Sequence, residues 1–276
     1  MKIPYDNLIH TLLNLFSPRY CAGCGLENEV FCEKCLLTSY KPGTQCLICG
    51  FRNKNGGICS GCLKKTGFRL KRVFWAGHYD GALREAIQQL KYKRRRELAG
   101  PLAELLWKKF LEINENQLSS QHISKHAYSP AGELLCSPRR ATQDFEKRSP
   151  KSNLVIIPIP LHFKKEYERG FNQAKLLAQE FGKLAGIPCL TNILIKTKET
   201  PAQVAVENKE LRIKNLENAF QINPKASQSD LKLLAFGTII LIDDVATTGA
   251  TLSHAASALE KIGIKKIIGL VLAHGG

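Results

Sequence analysis

The stretch that most constrains this chain spans residues 239–252, near its C-terminal end. Four branched apolar residues lead into two adjacent carboxylates, Asp243 and Asp244, and a loop rich in hydroxyl groups then runs into a helical pattern. The apolar run predicts a strand buried on both faces, as in a parallel α/β sheet flanked by helices. Ligands of such sheets bind beyond the carboxyl ends of the strands, which is where the two aspartates fall.

The loop after the aspartates has the composition of an anion site. Its candidate binding residues are Thr247, Thr248, Gly249, Ala250 and Thr251. Free backbone N–H groups and the positive end of the helix dipole attract phosphate at such a position. The carboxylates can bind ribose hydroxyls, or a Mg²⁺ held on them, so the stretch suits a sugar phosphate. The alternative, a strand-turn-helix with one capping aspartate, requires neither the second acid nor the Thr-Thr-Gly-x-Thr series.

This stretch resembles the phosphoribosyl-pyrophosphate (PRPP) loop of type I phosphoribosyltransferases. The matching series is an apolar run, Asp-Asp, an apolar residue, any residue, Thr-Thr-Gly, a small residue and Thr. The resemblance implies Mg²⁺-bound PRPP as the ligand, Asp243 and Asp244 as the catalytic acids, and the loop as the site of the 5′-phosphate. It also implies a type I phosphoribosyltransferase-like parallel sheet within residues 70–276.

Eight of the ten cysteines form four Cys-x-x-Cys pairs within residues 21–66. The candidate metal ligands are Cys21, Cys24, Cys32, Cys35, Cys46, Cys49, Cys59 and Cys62. Two such pairs complete a tetrahedral Zn²⁺ site, and the segment is too poor in large apolar residues to fold without metal, so we expect two structural zinc ions. Sequential pairing gives a double zinc ribbon, although the spacing also allows a crossed pairing. A disulfide framework is disfavoured because nothing in the sequence indicates an oxidising compartment.

The net charge and the N-terminal residues limit the partners and the location that the protein can have. The chain has 276 residues and a formal charge of +16 at pH 7, which favours anionic partners such as nucleic acid or phosphorylated metabolites. No run approaches the roughly 18 apolar residues that span a membrane. Residues 1–20 do not have the pattern of a signal peptide, because polar residues interrupt their apolar positions. They predict an amphipathic helix that docks on the protein's own core, with contact to a membrane as the alternative. We therefore expect a cytoplasmic protein.

A dense basic cluster closes the first helix of the middle segment. The pattern predicts a strand at 73–79, helices at 82–92 and 98–113, and a disordered insertion at 114–152. The candidate nucleic-acid-binding residues of the cluster are Lys91, Lys93, Arg94, Arg95 and Arg96. These cations, with an aromatic residue among them, suit contact with a nucleic-acid backbone or with pyrophosphate. A solvated helix end, where cations favour the dipole, is the alternative.

A second strand-loop-helix unit precedes the PRPP-like stretch. Residues 154–157 predict a buried strand, and the helix is predicted over 173–184. Because the loops of parallel strands emerge at the same edge of a sheet, we expect the loop between them to lie beside the aspartates. Its cations Lys164 and Arg169 are candidate pyrophosphate ligands. Residues 195–218 are polar and carry several cations, which fits a lid over PRPP, with an ordinary surface helix and connection as the alternative.

The whole layout resembles the ComF (competence protein F) family, a zinc-bearing branch of the phosphoribosyltransferase fold. The motifs that carry the resemblance occur in family order: Leu-Lys-Tyr-Lys at 90–93, Ile-Pro-Ile-Pro-Leu-His at 157–162, Arg-Gly-Phe-Asn-Gln at 169–173, Thr200 with Gln203, Arg212 with Asn215, and Ala219-Phe220, ahead of the Asp-Asp stretch. The family often has glycine where Arg94 stands and arginine where Lys196 stands. The resemblance implies a cytoplasmic role in natural transformation, on incoming single-stranded DNA, with DNA-uptake proteins as further partners.

These residues allow an enzyme or a binding protein. An enzyme would hold Mg²⁺-PRPP while a nitrogenous base displaces pyrophosphate at C1 of the ribose, through positioning and charge stabilisation. A binding protein would keep PRPP at the same site and handle single-stranded DNA without transfer, because a fold does not fix its chemistry. Nothing in the sequence identifies an acceptor base.

Overall fold

The computed structural model describes residues 19–43, 45–53, 57–70, 72–118, 154–199, 219–235 and 237–275. Three predicted features lie wholly or mostly outside these residues: the N-terminal amphipathic helix, the insertion at 114–152 and the lid at 195–218. None of the described helices is long and apolar enough to cross a lipid bilayer.

Helices and strands alternate along most of the described chain. In chain order the helices are α1 (Glu33–Ser39), α2 (Ser60–Thr66), α3 (Gly81–Tyr92), α4 (Ala99–Leu118), α5 (Phe163–Arg169), α6 (Gln173–Ala185), α7 (Gln228–Ala235) and α8 (Ala250–Glu260). The strands are β1 (Val73–His78), β2 (Leu154–Pro158), β3 (Leu194–Lys196), β4 (Phe220–Ile222), β5 (Thr238–Ala246) and β6 (Ile267–His274). A short 3-10 turn, Arg96–Leu98, leads into α4.

Four parallel strands form the central sheet, in the order β1-β6-β5-β2. Alternate residues of β5 enter two separate core layers, Ile240 and Ile242 in one and Ile239 and Leu241 in the other. A strand buried on both faces needs such an unbroken apolar run, because neither face meets water. The predicted parallel α/β sheet is confirmed, and β1 and β2 begin where the two earlier apolar runs begin.

Helices cover both faces of the sheet. α3, α4 and α6 pack on the face that carries Ile240, and α8 packs on the face that carries Ile239. α6 begins after Asn172, whose side-chain oxygen accepts hydrogen bonds from two backbone N–H groups, and it ends at Gly186 in the left-handed conformation. α4 extends beyond its predicted end, so residues 114–118 are helical and are not part of the predicted insertion.

The cysteine-rich segment wraps around the edge strand β1. Lys41 N donates to Ala76 O of β1 (2.9 Å), so the chain crosses the outer edge of this strand between the two groups of cysteines. The first group packs on the face with α3, α4 and α6, and the second on the face with α8. The crossing covers part of a strand edge that would otherwise present unpaired backbone groups.

A small antiparallel ribbon, β3 with β4, lies outside the central sheet. An isolated bridge joins Lys196 of β3 to His162, which follows β2. The ribbon flanks the predicted lid on both sides in sequence. The start of that segment is therefore held next to the loop that follows β2.

Candidate functional site

Asp243 and Asp244 lie in the last part of β5, at the carboxyl edge of the sheet. Only 8% of Asp243 and 4% of Asp244 is exposed. Asp243 Oδ1 accepts a hydrogen bond from the N–H of Asp244 (2.9 Å), and Asp244 Oδ1 accepts one from the N–H of Val245 (2.8 Å). Burial, together with the charge of Asp244, raises the pKa of Asp243 well above its usual value. The pair therefore favours a proton, a hydroxyl donor or a cation at this edge.

Lys91, in the last turn of α3, supplies a cation to these acids. Its Nζ forms an ion pair with Asp244 Oδ2 at 2.5 Å, and only 16% of its side chain is exposed. Burial opposes the charge of this ammonium, but the carboxylates of Asp244 and Asp243 raise its pKa, so Lys91 stays protonated. The sequence grouped Lys91 with the nucleic-acid-binding cations, whereas the structure brings it to the carboxylates.

The loop predicted to bind phosphate turns sharply into α8. Thr248 and Gly249 are buried, and Gly249 has a φ of 73°, in the left-handed region. Helix α8 begins at Ala250, whose N–H donates to Thr248 Oγ1 (3.4 Å). Thr247 and Thr251 flank this turn and are half-buried. All five predicted loop residues thus follow the aspartates directly, at a helix N-terminus.

Leu47 lies between cysteines of the second group in sequence, and its side chain packs against one side of this loop. A Cβ atom on Gly249 would lie 2.5 Å from Leu47 Cδ2 and 3.4 Å from Phe68 Cε1. Real Cβ atoms do not approach a carbon to 2.5 Å, so Leu47 would have to shift, and the left-handed backbone separately favours glycine at this position. The cysteine-rich segment is thereby part of the wall of the candidate phosphate site.

Two further contacts tie the cysteine-rich segment to this edge of the sheet. Leu47 O lies 3.3 Å from His274 Nε2, and the ring of His274 lies 5.0 Å from that of Trp75. Arg69 N donates to Ser253 Oγ of α8 (3.1 Å). No sequence pattern predicts these contacts, because each joins residues that are far apart in the chain and carry no shared motif.

The loop after β2 is anchored beside the aspartates. Ile159 N donates to Ile242 O (2.9 Å), one residue before Asp243. Asn172 Nδ2 donates to Ile159 O (2.9 Å), while Asn172 Oδ1 accepts from Ala174 N (2.9 Å) at the start of α6. One side chain therefore fixes both ends of this loop. The predicted placement of the second loop at the edge with the acids agrees with this geometry.

The two predicted pyrophosphate ligands both belong to α5 and already have partners. Lys164 Nζ lies 2.9 Å from Glu199 Oε2, in an exposed ion pair. Arg169 Nη1 donates to Gln173 Oε1 (2.5 Å), and its guanidinium lies 5.3 Å from the centre of the Tyr92 ring. A phosphate ligand would have to replace these contacts or share them.

The basic cluster divides among different environments. Its first member, described above, faces the acids. Lys93 and Arg94 are exposed, and Arg94 has a φ of 55°, where the resemblance expects glycine. Arg95 Nη1 donates to a backbone oxygen just before the first group of cysteines (2.9 Å). Arg96 Nη2 donates to Gly170 O, at the end of α5 (3.0 Å). Some side chains of the cluster therefore join separate elements of the fold, and others face solvent.

Each of two groups of cysteines could hold a metal ion. The four sulfur atoms of each group lie within 4.8 Å of one another: Cys21, Cys24, Cys32 and Cys35 in the first, and Cys46, Cys49, Cys59 and Cys62 in the second. The sulfurs of Cys24 and Cys32 are 3.6 Å apart, and those of Cys49 and Cys59 are 3.8 Å apart. Tetrahedral Zn–S bonds of about 2.3 Å require a spacing of about 3.8 Å. The grouping is sequential, and the crossed pairing that the spacing allowed is not formed in the described chain.

Backbone N–H groups stabilise one sulfur of each group as a thiolate. Cys21 Sγ accepts from the N–H of Cys32 (3.3 Å) and of Gly23 (3.4 Å), and Cys46 Sγ accepts from the N–H of Cys59 (3.3 Å). Burial opposes ionisation, but these hydrogen bonds lower the pKa of Cys21 and of Cys46 to about 6. Because Zn²⁺ binds thiolates, one sulfur of each group fits zinc in charge, and the spacing of all four sulfurs fits a tetrahedral zinc ion.

Known proteins are similar to most of this chain. Residues 146–276 match the model of the phosphoribosyl transferase domain. Over 90% of its length the chain is 30% identical to competence protein F of Haemophilus influenzae, of which it covers 81%. The chain belongs to the competence protein F (ComF) family. It therefore has the phosphoribosyltransferase-like fold and the two N-terminal cysteine groups that the sequence predicted.

Further relatives of this ComF-family chain have names that refer to DNA utilization or to competence. It is 27% identical to DNA utilization protein YhgH of Escherichia coli, over 84% of the chain and 85% of that protein. It is 30% identical to competence protein ComFC of Bacillus subtilis, over 54% of the chain and 56% of that protein.

Proposed function

We propose that this protein binds Mg²⁺-PRPP at the carboxyl edge of its sheet. The observation that carries the proposal is the buried pair Asp243 and Asp244, followed directly by a loop at the N-terminus of α8. Carboxylates suit ribose hydroxyls and Mg²⁺, whose ligands are oxygens, and the helix N-terminus suits the 5′-phosphate. The residues present fit this ligand in charge and in donor type.

Each part of the site has a role in this proposal. Asp243 and Asp244 hold the ribose hydroxyls, or the Mg²⁺ bound to them. Lys91 forms an ion pair with Asp244 in the absence of ligand, and Lys164 and Arg169 contribute positive charge to the pyrophosphate. The 5′-phosphate is held by Thr247, Thr248, Gly249, Ala250 and Thr251.

Two structural zinc ions belong to the proposal. With four sulfurs in each group, a tetrahedral ion has no open position for a substrate. The metal therefore supplies folding free energy to a segment with little apolar core of its own, and takes no part in chemistry.

The biological role that we propose is DNA uptake, through handling of single-stranded DNA in the cytoplasm together with DNA-uptake proteins. The names of the relatives, which refer to competence and DNA utilization, support this role. So does the formal charge of +16. The exposed Lys93 and Arg94 offer contacts to a phosphate backbone, and Arg95 and Arg96 add to the local positive field.

Transfer of the ribose phosphate to a base is the second candidate function. The β3–β4 ribbon supports it, because the ribbon flanks the predicted lid and is bridged to the loop after β2. In this reaction a nitrogen of the base attacks C1, the bond between C1 and the pyrophosphate oxygen breaks, and pyrophosphate leaves. The protein would act by orientation and by stabilising charge on the leaving group.

Calorimetric titration of Mg²⁺-PRPP into the zinc-loaded protein tests the binding proposal, with Asp243→Asn as the variant. Burial raises the pKa of Asp243, so the folded state holds this proton more tightly than the unfolded chain does. The stability that depends on this group is present at low pH and is lost as the pH rises through the raised pKa. Asp243→Asn should therefore abolish PRPP binding while it raises the free energy of unfolding at pH 7.

Asp244→Asn provides the contrast, because it removes the partner of Lys91. A buried ammonium without its carboxylate costs roughly 3–5 kcal/mol, so this variant should melt at a lower temperature than the wild type. The two substitutions are chemically identical, and only their neighbours differ. Undiminished PRPP binding by a folded Asp243→Asn variant, or no binding by the folded wild type, would refute the proposal.

Release of pyrophosphate from PRPP separates the two candidate functions. The assay is run with a panel of nitrogenous bases, with single-stranded DNA and with neither. Turnover that requires one base identifies a transferase. DNA binding without any turnover identifies a PRPP-binding protein that handles DNA.

A further inference from the structure

Three aromatic side chains near the candidate site are exposed to solvent. The exposed fraction is 71% for Tyr92, 69% for Phe163 and 89% for Tyr167. Tyr92 ends α3, and the other two lie four residues apart on α5, hence on one face of that helix. Isolated exposed apolar residues are ordinary, but three rings on adjoining elements form a group that needs an explanation.

Arginine side chains of each segment contact the other segment, and they join α5 to the residues at the end of α3. The guanidinium of Arg169, at the end of α5, lies 5.3 Å from the centre of the Tyr92 ring. In the other direction, Arg94 Nη2 lies 3.5 Å from Glu168 O, and Arg96 Nη2 donates to Gly170 O (3.0 Å). Residues 92–96 therefore adjoin the C-terminal end of α5, and we call residues 92–96 together with α5 the aromatic–basic surface.

Positive charge dominates this surface. Residues 93–96 are all cations, and α5 adds Lys164, Lys165 and Arg169 against two acids, Glu166 and Glu168. Lys164 is paired with a further acid outside the surface, and its ion pair is exposed. Phosphates attract such a surface over several ångströms, and exposed ion pairs of this kind exchange partners at little cost.

Rings interleaved with cations indicate a particular ligand. Single-stranded nucleic acid offers unpaired bases that stack on aromatic side chains and phosphates that contact cations, whereas the bases of a duplex are not available for stacking on a protein surface. Resting on the DNA-handling role proposed above, we infer that the aromatic–basic surface binds single-stranded DNA by stacking bases on Tyr92 and Tyr167 and by pairing phosphates with Lys93 and Arg94. α5 enters this inference as a DNA-binding element, although the sequence motifs assign it only to pyrophosphate.

The surface is continuous with the PRPP site. Lys91, the residue before Tyr92, reaches Asp244, and Arg169 belongs to both regions. DNA bound at this surface therefore lies at the mouth of the sugar-phosphate site. Binding of DNA and binding of PRPP should consequently be measured in the same variants.

The test compares removal of the rings with their conservative replacement. Fluorescence anisotropy with a labelled oligo-dT measures affinity for the full-length, zinc-loaded protein, its Tyr92→Ala/Tyr167→Ala variant and its Tyr92→Phe/Tyr167→Phe variant. Stacking contributes about 1–3 kcal/mol per base, so the alanine variant should bind at least about tenfold more weakly. The phenylalanine variant, which keeps both rings, should bind within about twofold of the wild type. A duplex of equal length should show no dependence on the rings.

The charge component is tested by the salt dependence of binding. Lys93→Gln/Arg94→Gln should reduce the slope of log affinity against log salt by about 1.4, because each lost contact to a single strand removes about 0.7. Lys265→Gln/Lys266→Gln is the matched control, since it removes the same charge from exposed positions just before β6, at the opposite edge of the sheet. Equal slopes in the two variants would place the DNA contacts elsewhere.

The outcomes separate this inference from the functions on which it rests. Wild-type protein that binds Mg²⁺-PRPP but not oligo-dT would overturn the DNA role and the surface together. Wild-type protein that binds oligo-dT with the same affinity as the alanine variant would overturn the surface alone. Because Tyr92 adjoins Lys91, PRPP binding by the alanine variant serves as the control for an intact site. If that variant no longer binds PRPP, the oligo-dT affinity of Tyr167→Ala alone tests the surface.

Discussion

The two groups of cysteines have the same ligand chemistry and different neighbours. The first packs on α3, where Gln89 Nε2 donates to Ala22 O (3.1 Å). The second packs on the loop before α8, where Leu47 contacts Gly249. The first group thus supports the helix that carries Lys91, and the second supports the candidate phosphate loop directly. Two similar groups of cysteines on opposite faces of one sheet therefore contact different parts of the candidate site.

One position within each group shows how the difference arises. Ala22 and Leu47 each follow the first cysteine of their group, and both are buried. The backbone oxygen of Ala22 accepts a hydrogen bond from α3, whereas the side chain of Leu47 reaches across to the loop before α8. The two Cys-x-x-Cys turns are similar, and the residue that follows the first cysteine makes a different contact in each group.

Loss of one zinc at a time should have the largest effect on this comparison. Structural zinc contributes roughly 10–16 kcal/mol of apparent free energy, so a lost ligand unfolds its own group. Cys46→Ser should abolish PRPP binding, because the unfolded segment no longer holds Leu47 on the loop. Cys21→Ser should leave PRPP binding within about tenfold of the wild type and should weaken binding of oligo-dT, because α3 loses its support. Metal analysis confirms one remaining zinc in each variant, and equal PRPP affinities would contradict the division of roles.

Glycines in the same backbone conformation allow a sharper test with a smaller effect. Gly249 and Gly25 have φ values of 73° and 77°, so alanine costs both a similar backbone strain. A Cβ on Gly249 would meet Leu47 at 2.5 Å, whereas a Cβ on Gly25 would meet no described atom within 4 Å. Gly249→Ala should therefore lower the free energy of unfolding by about 1–3 kcal/mol more than Gly25→Ala, as overpacking does. Denaturant unfolding measures the difference.

A double variant tests whether contact with Leu47 causes the loss of stability in Gly249→Ala. Leu47→Ala should lower the free energy of unfolding by less in the Gly249→Ala background than in the wild type, because it takes away the colliding methyl group. The two changes should thus be less than additive, as expected for residues in contact. Strict additivity would show that Leu47 does not rest on the loop.

Local patterns in the sequence were sufficient for much of this architecture. The apolar run of β5, the Thr-Thr-Gly turn and the four Cys-x-x-Cys pairs each act within a few residues, so their structures follow from their own composition. The ion pair of Lys91 with Asp244 could not be predicted in this way, because nothing in the basic cluster at 91–96 distinguishes its first member from the rest. A weak signal was present: Lys91 lies four residues after the buried Ile87, hence beside the buried face of α3.

Contacts between distant segments set the limit of such prediction. The face of the sheet that each cysteine group occupies depends on the crossing of β1 by Lys41, and the closure of the loop depends on the reach of Leu47. Both are tertiary contacts between segments with no common motif. They became visible only when the sheet order fixed which strand lies at the edge.

A hydrogen bond of the same length near each group of cysteines provides the comparison with the smallest expected effect. Arg69 N donates to Ser253 Oγ (3.1 Å) near the second group, and Gln89 Nε2 donates to Ala22 O (3.1 Å) at the first. Ser253→Ala should lower the free energy of unfolding by about 0.5–1.5 kcal/mol, and Gln89→Ala should lower it by more, because Gln89 Oε1 also accepts from Arg95 Nη1 (2.9 Å). Only Ser253→Ala should also weaken PRPP binding, because Ser253 lies in the first turn of the helix whose N-terminus forms the proposed phosphate site. If calorimetry shows equal PRPP affinities for the two variants, the second group stabilises the fold without shaping the site; if only Ser253→Ala lowers the affinity, the coupling is local and runs through α8.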